Sequence, residues 1–267
     1  MDRALSTRAN IRGSMWHWLL PLLTLSNLVL VQPLSAQSLI QPSSTANPVV
    51  YDDRQFFDDP VAIYGTVARY EVFRKGKLIG QHQLRFTRRD NRLEVAIESE
   101  LAVRYLGVPV YRYRYEALET WQDRSLVSVQ SRIKDNLKKW REISARADGR
   151  VLEITNRGKT RTAPMVRFPS NHWHPGVLNE SRVFHTLHGK VHHVKIQDLG
   201  TEKLQVHGTD KSGQTRIAVL PVRHYRYTGG FVADVWYDAQ RRWVNLQFQA
   251  DDGSQIEYRC ITCLPAG

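Results

Sequence analysis

The chain has 267 residues, a formal charge of +12 and only two cysteines. That length is enough for one sizeable core or one large all-β domain. The charge would suit a polyanion, but the N-terminus directs the chain out of the cytoplasm. Export excludes nucleic acid and leaves anionic lipid headgroups, lipopolysaccharide or wall polymers as partners, or a solvated basic surface with no partner.

Arg3, Arg8 and Arg12 precede an apolar run, 15–31, broken by Pro21, and Leu34-Ser35-Ala36 supplies a small residue for cleavage. This is the pattern of a signal peptide over residues 1–36, cut after Ala36, and not of a retained membrane span. No cysteine stands at the cut, so a lipid anchor is not expected. The product is expected in the periplasm or secreted, and not as an integral membrane protein after cleavage. Residues 37–60, with Ser, Pro and Asn and no sustained period, are expected as a flexible linker into a single all-β domain over 61–267.

From Ile63 the hydrophobic period is 2. Strands are predicted over 63–74, 78–87, 92–105, 110–121, 126–134, 138–147 and 151–156, with turns at Lys75-Gly76-Lys77, Asp135-Asn136, Asp148-Gly149 and Arg157-Gly158. Pro109 is expected to mark a corner, because proline cannot donate to a central ladder. Residues 165–190 break this rhythm: Pro169 and Pro175 bracket Ser170-Asn171-His172-Trp173-His174. One short helix is expected over 179–188, with Asn179 as its cap and Gly189 just past its end. Strands resume over 191–199, 201–206 and 214–222, the last two joined across 208–213. The meander closes through 231–237, 242–250 and 255–260, with turns at Asp238-Ala239-Gln240 and Asp251-Asp252-Gly253-Ser254. The expected fold is therefore all-β: a large curved antiparallel sheet or open, unclosed barrel of about a dozen strands with one short helix.

Chemical signatures are sparse. The chain has no Gly-x-Ser-x-Gly elbow, no His-Glu-x-x-His, no phosphate loop and no dinucleotide glycine fingerprint, so no catalytic residues are assigned. Seven of ten histidines fall between 172 and 207. His172 and His174 would share a face if extended, and His185 and His188 would share one if helical. Either pair could seat zinc or copper through imidazole nitrogen, given further ligands. The alternative is that surface loops simply carry these histidines.

Tyrosines alternate with arginines at Tyr111, Tyr113 and Tyr115 and again at Tyr225 and Tyr227, with Trp173 and Trp236 adding aromatic bulk. A Tyr-lined face suits a cavity for a lipid or other amphipathic molecule, and it suits a core edge equally well. Cys260 and Cys263 would lie about 10 Å apart in an extended strand, beyond disulfide reach. A bond between them, the default in an oxidising compartment, requires the strand to end at Cys260 and the tail to curl.

Several segments together resemble an uncharacterised family of exported bacterial proteins. They are Tyr70-x-Val72 with Gly76-x-x-Ile79-Gly80, Tyr105-Leu106-Gly107-Val108-Pro109-Val110-Tyr111, Ser170-Asn171-His172-Trp173 and Asp234-x-Trp236-Tyr237-Asp238-Ala239. The resemblance spans about residues 63–260 and implies no activity. The strand-turn rhythm is also distantly similar to the open barrels of periplasmic lipoprotein and lipid carriers. The leading expectation is a non-catalytic binding or carrier protein for an apolar or amphipathic ligand, with no cofactor. Its rivals are a metal-binding enzyme or chaperone built on residues 172–207, and a structural envelope protein that contacts polyanions.

Overall fold

The computed structural model describes residues 53–209 and 214–264. The expected leader with its expected cut after Ala36, most of the expected linker and residues 210–213 of the expected connection lie outside the described residues. What is described falls in one compact unit, Val50–Gly267.

That unit is a single antiparallel sheet of fourteen strands. The first eight are β1 (Val67–Arg74), β2 (Lys77–Arg89), β3 (Arg92–Tyr105), β4 (Val108–Gln122), β5 (Ser125–Asp135), β6 (Arg141–Asp148), β7 (Val151–Asn156) and β8 (Lys159–Pro164). The remaining six are β9 (Arg182–His185), β10 (Lys190–Thr209), β11 (Thr215–Gly229), β12 (Ala233–Asp238), β13 (Trp243–Gln249) and β14 (Gln255–Cys260). Two meanders, β1–β8 and β9–β14, are joined by β1 pairing with β14, with Tyr70 opposite Cys260. The edges are β8 and β9, and no ladder connects them among the described residues.

The hairpins follow from local chemistry. Lys75-Gly76, Leu106-Gly107 and Arg157-Gly158 each place two consecutive residues at positive φ, the backbone whose twist matches that of the flanking strands. Gly80, beside a register shift in β1, has φ +155°, and a Cβ there would stand 1.9 Å from the Glu100 carbonyl oxygen, so only glycine fits.

Several expectations are corrected. No helix forms over 179–188: a 3₁₀ turn covers Pro175–Asn179 and Arg182–His185 is strand β9. Val183 and Phe184 are fully buried and pair with His192 and Val191, so long-range pairing overrides the cap-like Asn179 and Gly189. Residues 55–58 and 60, expected within the end of the linker, belong instead to two helices, α1 (Gln55–Asp58) and α2 (Pro60–Tyr64). Asp59 caps α2 by accepting the Ala62 N–H at 2.9 Å, Pro60 opens it, and α1 buries Phe56 and Phe57. Residues 191–199 and 201–206 are one strand with a bulge at Asp198–Gly200. Pro109 lies inside β4, opposite Arg104, where no β5 residue needs its missing N–H. β8 was not anticipated: its side chains are mostly exposed and carry no apolar period.

The gap between the edges is bridged by side chains. Arg141 donates to the Leu187 carbonyl at 2.7 Å, Asn156 to that of His188 at 3.0 Å, and Arg161 to that of Gly189. The free side of β9 is covered by residues 168–170, with the Ser170 N–H donating to the Phe184 carbonyl at 2.9 Å. No described helix is long and apolar enough to cross a membrane.

Candidate functional site

Register places one row across the inner face at Phe86, Val95, Glu119, Val129, Ala145 and Ile154. Five apolar side chains flank one carboxylate. Glu119 is fully buried, and it holds the segment that broke the strand rhythm. Residues 165–181 fold inward and fill the interior with Val166, Phe168, Trp173 and Val177, all buried. Glu119 Oε2 accepts indole N–H groups from Trp173 at 2.8 Å and Trp121 at 3.0 Å, while Oε1 accepts from Asn171 Nδ2 at 2.6 Å. Desolvation pushes its pKa up to about 7, against the lowering effect of those three donors.

Side-chain hydroxyls pin the same plug and the turn after β9. Tyr64 donates to the Trp173 carbonyl at 2.8 Å and Tyr237 to that of His172 at 2.9 Å. Tyr115 donates to Thr186 Oγ1 at 2.8 Å, and Ser131 to the Thr186 carbonyl at 2.8 Å. Burial holds the Tyr115 and Tyr237 hydroxyls well above the usual phenol range.

The other end of the interior is rich in imidazole. His172 packs edge-on to Tyr227 at 5.3 Å, Tyr227 stacks on Phe231 at 5.5 Å, and Phe231 meets His185 at 5.3 Å. His185 stacks on His188 at 4.1 Å and lies 5.2 Å from His192. Four polar atoms of this cluster are buried without a hydrogen-bond partner: His172 Nδ1, His185 Nδ1, His192 Nε2 and Tyr227 OH. Burial lowers the pKa of His172 to about 4 and, with the neighbouring imidazoles adding to it, that of His185 to about 3. Nearby, His82 Nδ1 lies 2.7 Å from Ser99 Oγ among Tyr70, Trp243 and Tyr258, and burial lowers its pKa to about 3.

The residues singled out from sequence are distributed as follows. Tyr115, Tyr227 and Trp173 are core, Tyr113 and Tyr225 are half-buried against it, and Tyr111 is exposed, donating to Asp135 Oδ1 at 2.8 Å. Trp236 is on the opposite face from Tyr225 and Tyr227, because it pairs with His224 while Val235 pairs with Tyr225. It stacks on His224 at 4.3 Å and donates to Glu202.

The histidine pairs are not arranged as expected. His172 and His174 sit in a turn, their rings in separate aromatic nests: His174 lies against Phe57 at 3.9 Å and Phe168 at 4.8 Å. His185 and His188 meet through the turn after β9, with rings 8° from parallel, so their in-plane lone pairs do not converge on one ion. Among the described residues, no three His, Cys, Asp or Glu side chains are placed to hold a metal ion. Cys260 and Cys263 form a disulfide with Cα atoms 5.7 Å apart, the tail curling beyond the end of β14.

Glu119 and His82 were missed from sequence, and Asn171 stood out only as part of the Ser170-Asn171-His172-Trp173 break. The signal for Glu119 was present: continuing the inward alternation from Tyr115 gives Ala117, Glu119 and Trp121, a carboxylate on an apolar face.

Two grooves adjoin these elements. One of about 1260 Å³ runs along β3–β7 beneath Trp140, and one of about 650 Å³ lies between Asp123–Leu126 and Arg182.

The fold and its filled interior define the class: a barrel-like, unclosed antiparallel sheet wrapped around a plug. Residues 70–261 match the family described as a domain of unknown function (DUF6134), and the chain belongs to that family. Among solved structures it is similar to the crystal structure of a β-barrel-like protein of domain of unknown function DUF1849 from Brucella abortus. Identity is 9%, 73% of this chain and 95% of that chain are covered, and the TM-score is 0.52. No curated protein matches.

Proposed function

We propose that this chain is an exported, non-catalytic binding protein that takes an amphipathic molecule at the imidazole–aromatic end of its interior. The observation that carries this reading is the set of four unpartnered buried atoms, His172 Nδ1, His185 Nδ1, His192 Nε2 and Tyr227 OH, in the run of rings that passes through Phe231. A buried polar group without a partner costs about 1–3 kcal/mol. A ligand headgroup that bonds to these atoms recovers that cost, and its apolar part packs on Phe231 and the half-buried Leu187 and Val191. Entry runs through the gap between β8 and β9, where Arg141, Asn156 and Arg161 hold the edges together and a continuous ladder does not. The basic leader and the Cys260–Cys263 disulfide support a compartment outside the cytoplasm.

The test is titration with a dansyl-labelled fatty acid. Saturable, equimolar binding is expected, weakened about tenfold in Tyr227→Phe and His172→Leu, the loss associated with one well-placed hydrogen bond. Protein that gives no saturable signal, or variants that bind like wild type, would sink the proposal.

A further inference from the structure

The β3–β4 hairpin outruns the sheet on both sides. β2 accompanies β3 only to Gly80 opposite Leu101, and β5 accompanies β4 only to Asp135 opposite Tyr113. β3 and β4 stay paired out to Tyr105 opposite Val108. Residues 102–112 are thus a two-stranded ribbon reaching about 15 Å past its neighbours, at about 3.3 Å per residue.

Its end is apolar. Tyr105, Leu106, Val108 and Val110 are exposed, Leu106 to 88%, and Leu137, exposed to 94%, stands on the adjoining β5–β6 connection. The two loops are tied by the Asn136 N–H donating to the Arg112 carbonyl at 2.6 Å and by the Tyr111–Asp135 bond. With Tyr111, this one projection holds six of the twelve exposed large apolar side chains among the described residues. Scattered exposed apolar residues are ordinary, but a cluster rimmed by charge marks an interaction surface. The rim is Arg104, Arg112, Lys138 and Lys139, and its one carboxylate, Asp135, is taken up by Lys138 and Tyr111.

We propose that this ribbon docks lengthwise on an anionic lipid bilayer, with Leu106 and Val108 at its tip and Leu137 at its base in the interfacial layer, and Arg104, Arg112 and Lys139 against headgroup phosphates. An apolar tip with a cationic collar matches the two parts of such a surface. A second copy of the chain is a poorer occupant, because tip-to-tip association would oppose two sets of cations with only Asp135, already paired with Lys138, to offset them. The proposal stands independently of what the interior binds.

The test is co-sedimentation of the full purified chain with phosphatidylcholine vesicles with and without phosphatidylglycerol. Binding is expected only when phosphatidylglycerol is present, and it should weaken as salt rises. Leu106→Asp combined with Leu137→Asp should lower the bound fraction about tenfold or more, and Lys138→Glu with Lys139→Glu should lower it and flatten the salt dependence. All four positions are exposed, and unchanged circular dichroism verifies folding. The same N-terminus in wild type and variants makes the difference a report on the tip. Wild type that ignores phosphatidylglycerol vesicles overturns the proposal, as do folded tip variants that bind like wild type. A concentration-dependent dimer that the tip variants abolish, without vesicle binding, assigns the surface to self-association instead.

Discussion

Glu119 accepts the indole N–H of Trp173 at 2.8 Å, so a wall strand and the plug meet through one carboxylate that has only neutral partners. That bond locates the plug more specifically than apolar packing can, because each donor left without it would be buried and unpaired.

The first prediction concerns that carboxylate. Burial raises its pKa from 4.5 to about 7, so its stabilising contribution is fully present below pH 4.5 and is lost as pH rises through 7. Glu119→Gln should flatten this part of the pH–stability curve at a cost of about 1–2 kcal/mol. Glu119→Leu, which strands three donors, should cost about 3–5 kcal/mol. Urea denaturation across neutral pH measures both.

The buried histidines act in the opposite direction. Burial lowers His82, His174 and His185 to about 3 and His172 to about 4. Their folded forms are neutral, so full stability holds above about pH 6.5 and is lost as pH falls towards those values. At pH 5 each withholds about 2 kcal/mol from the folded state as an upper figure. Four such groups outweigh Glu119, and the denaturation midpoint should fall steeply between pH 6.5 and 5. His82→Asn or His172→Asn should make that fall shallower, and an unchanged slope would remove these imidazoles from the explanation.

The side-chain bridge between the edges gives a third expectation. Asn156→Ala and Arg141→Met each remove a donor from the 187–189 carbonyls and should cost about 1–3 kcal/mol. Hydrogen exchange should quicken in β8 and β9 before it does in β1 and β14. Uniform protection in the variants would mean that the edges are held by other contacts.

The disulfide gives a fourth. Cys260 and Cys263 are both buried, so reductant and alkylating agent should modify them only when denaturant is added. The closed loop is short, and replacing both with serine should cost about 2 kcal/mol by loop entropy, read as a lowered thermal midpoint.

Much of the wall was legible from the residues. β1–β7 and β12–β14 fall within a few residues of the alternating runs, because consecutive antiparallel strands need only period-2 patterning and a turn that permits positive φ. β8 escaped notice because an exposed edge strand needs no apolar face, and Asn179 and Gly189 imitated the ends of a helix that does not form. Ser170-Asn171-His172-Trp173 stood out as a break, yet nothing local says that a break folds inward.

By itself the sequence determined an antiparallel all-β chain, its neighbouring hairpins, and a pair of cysteines that had to leave the strand to bond. Tertiary structure decided the rest: that Tyr70 pairs with Cys260 to join two meanders, that Trp173 fills the space they enclose, and that Glu119 is trapped there near neutral pKa. Alternation assigns side chains to two faces, but which face is enclosed, and by what, depends on contacts between residues far apart along the chain.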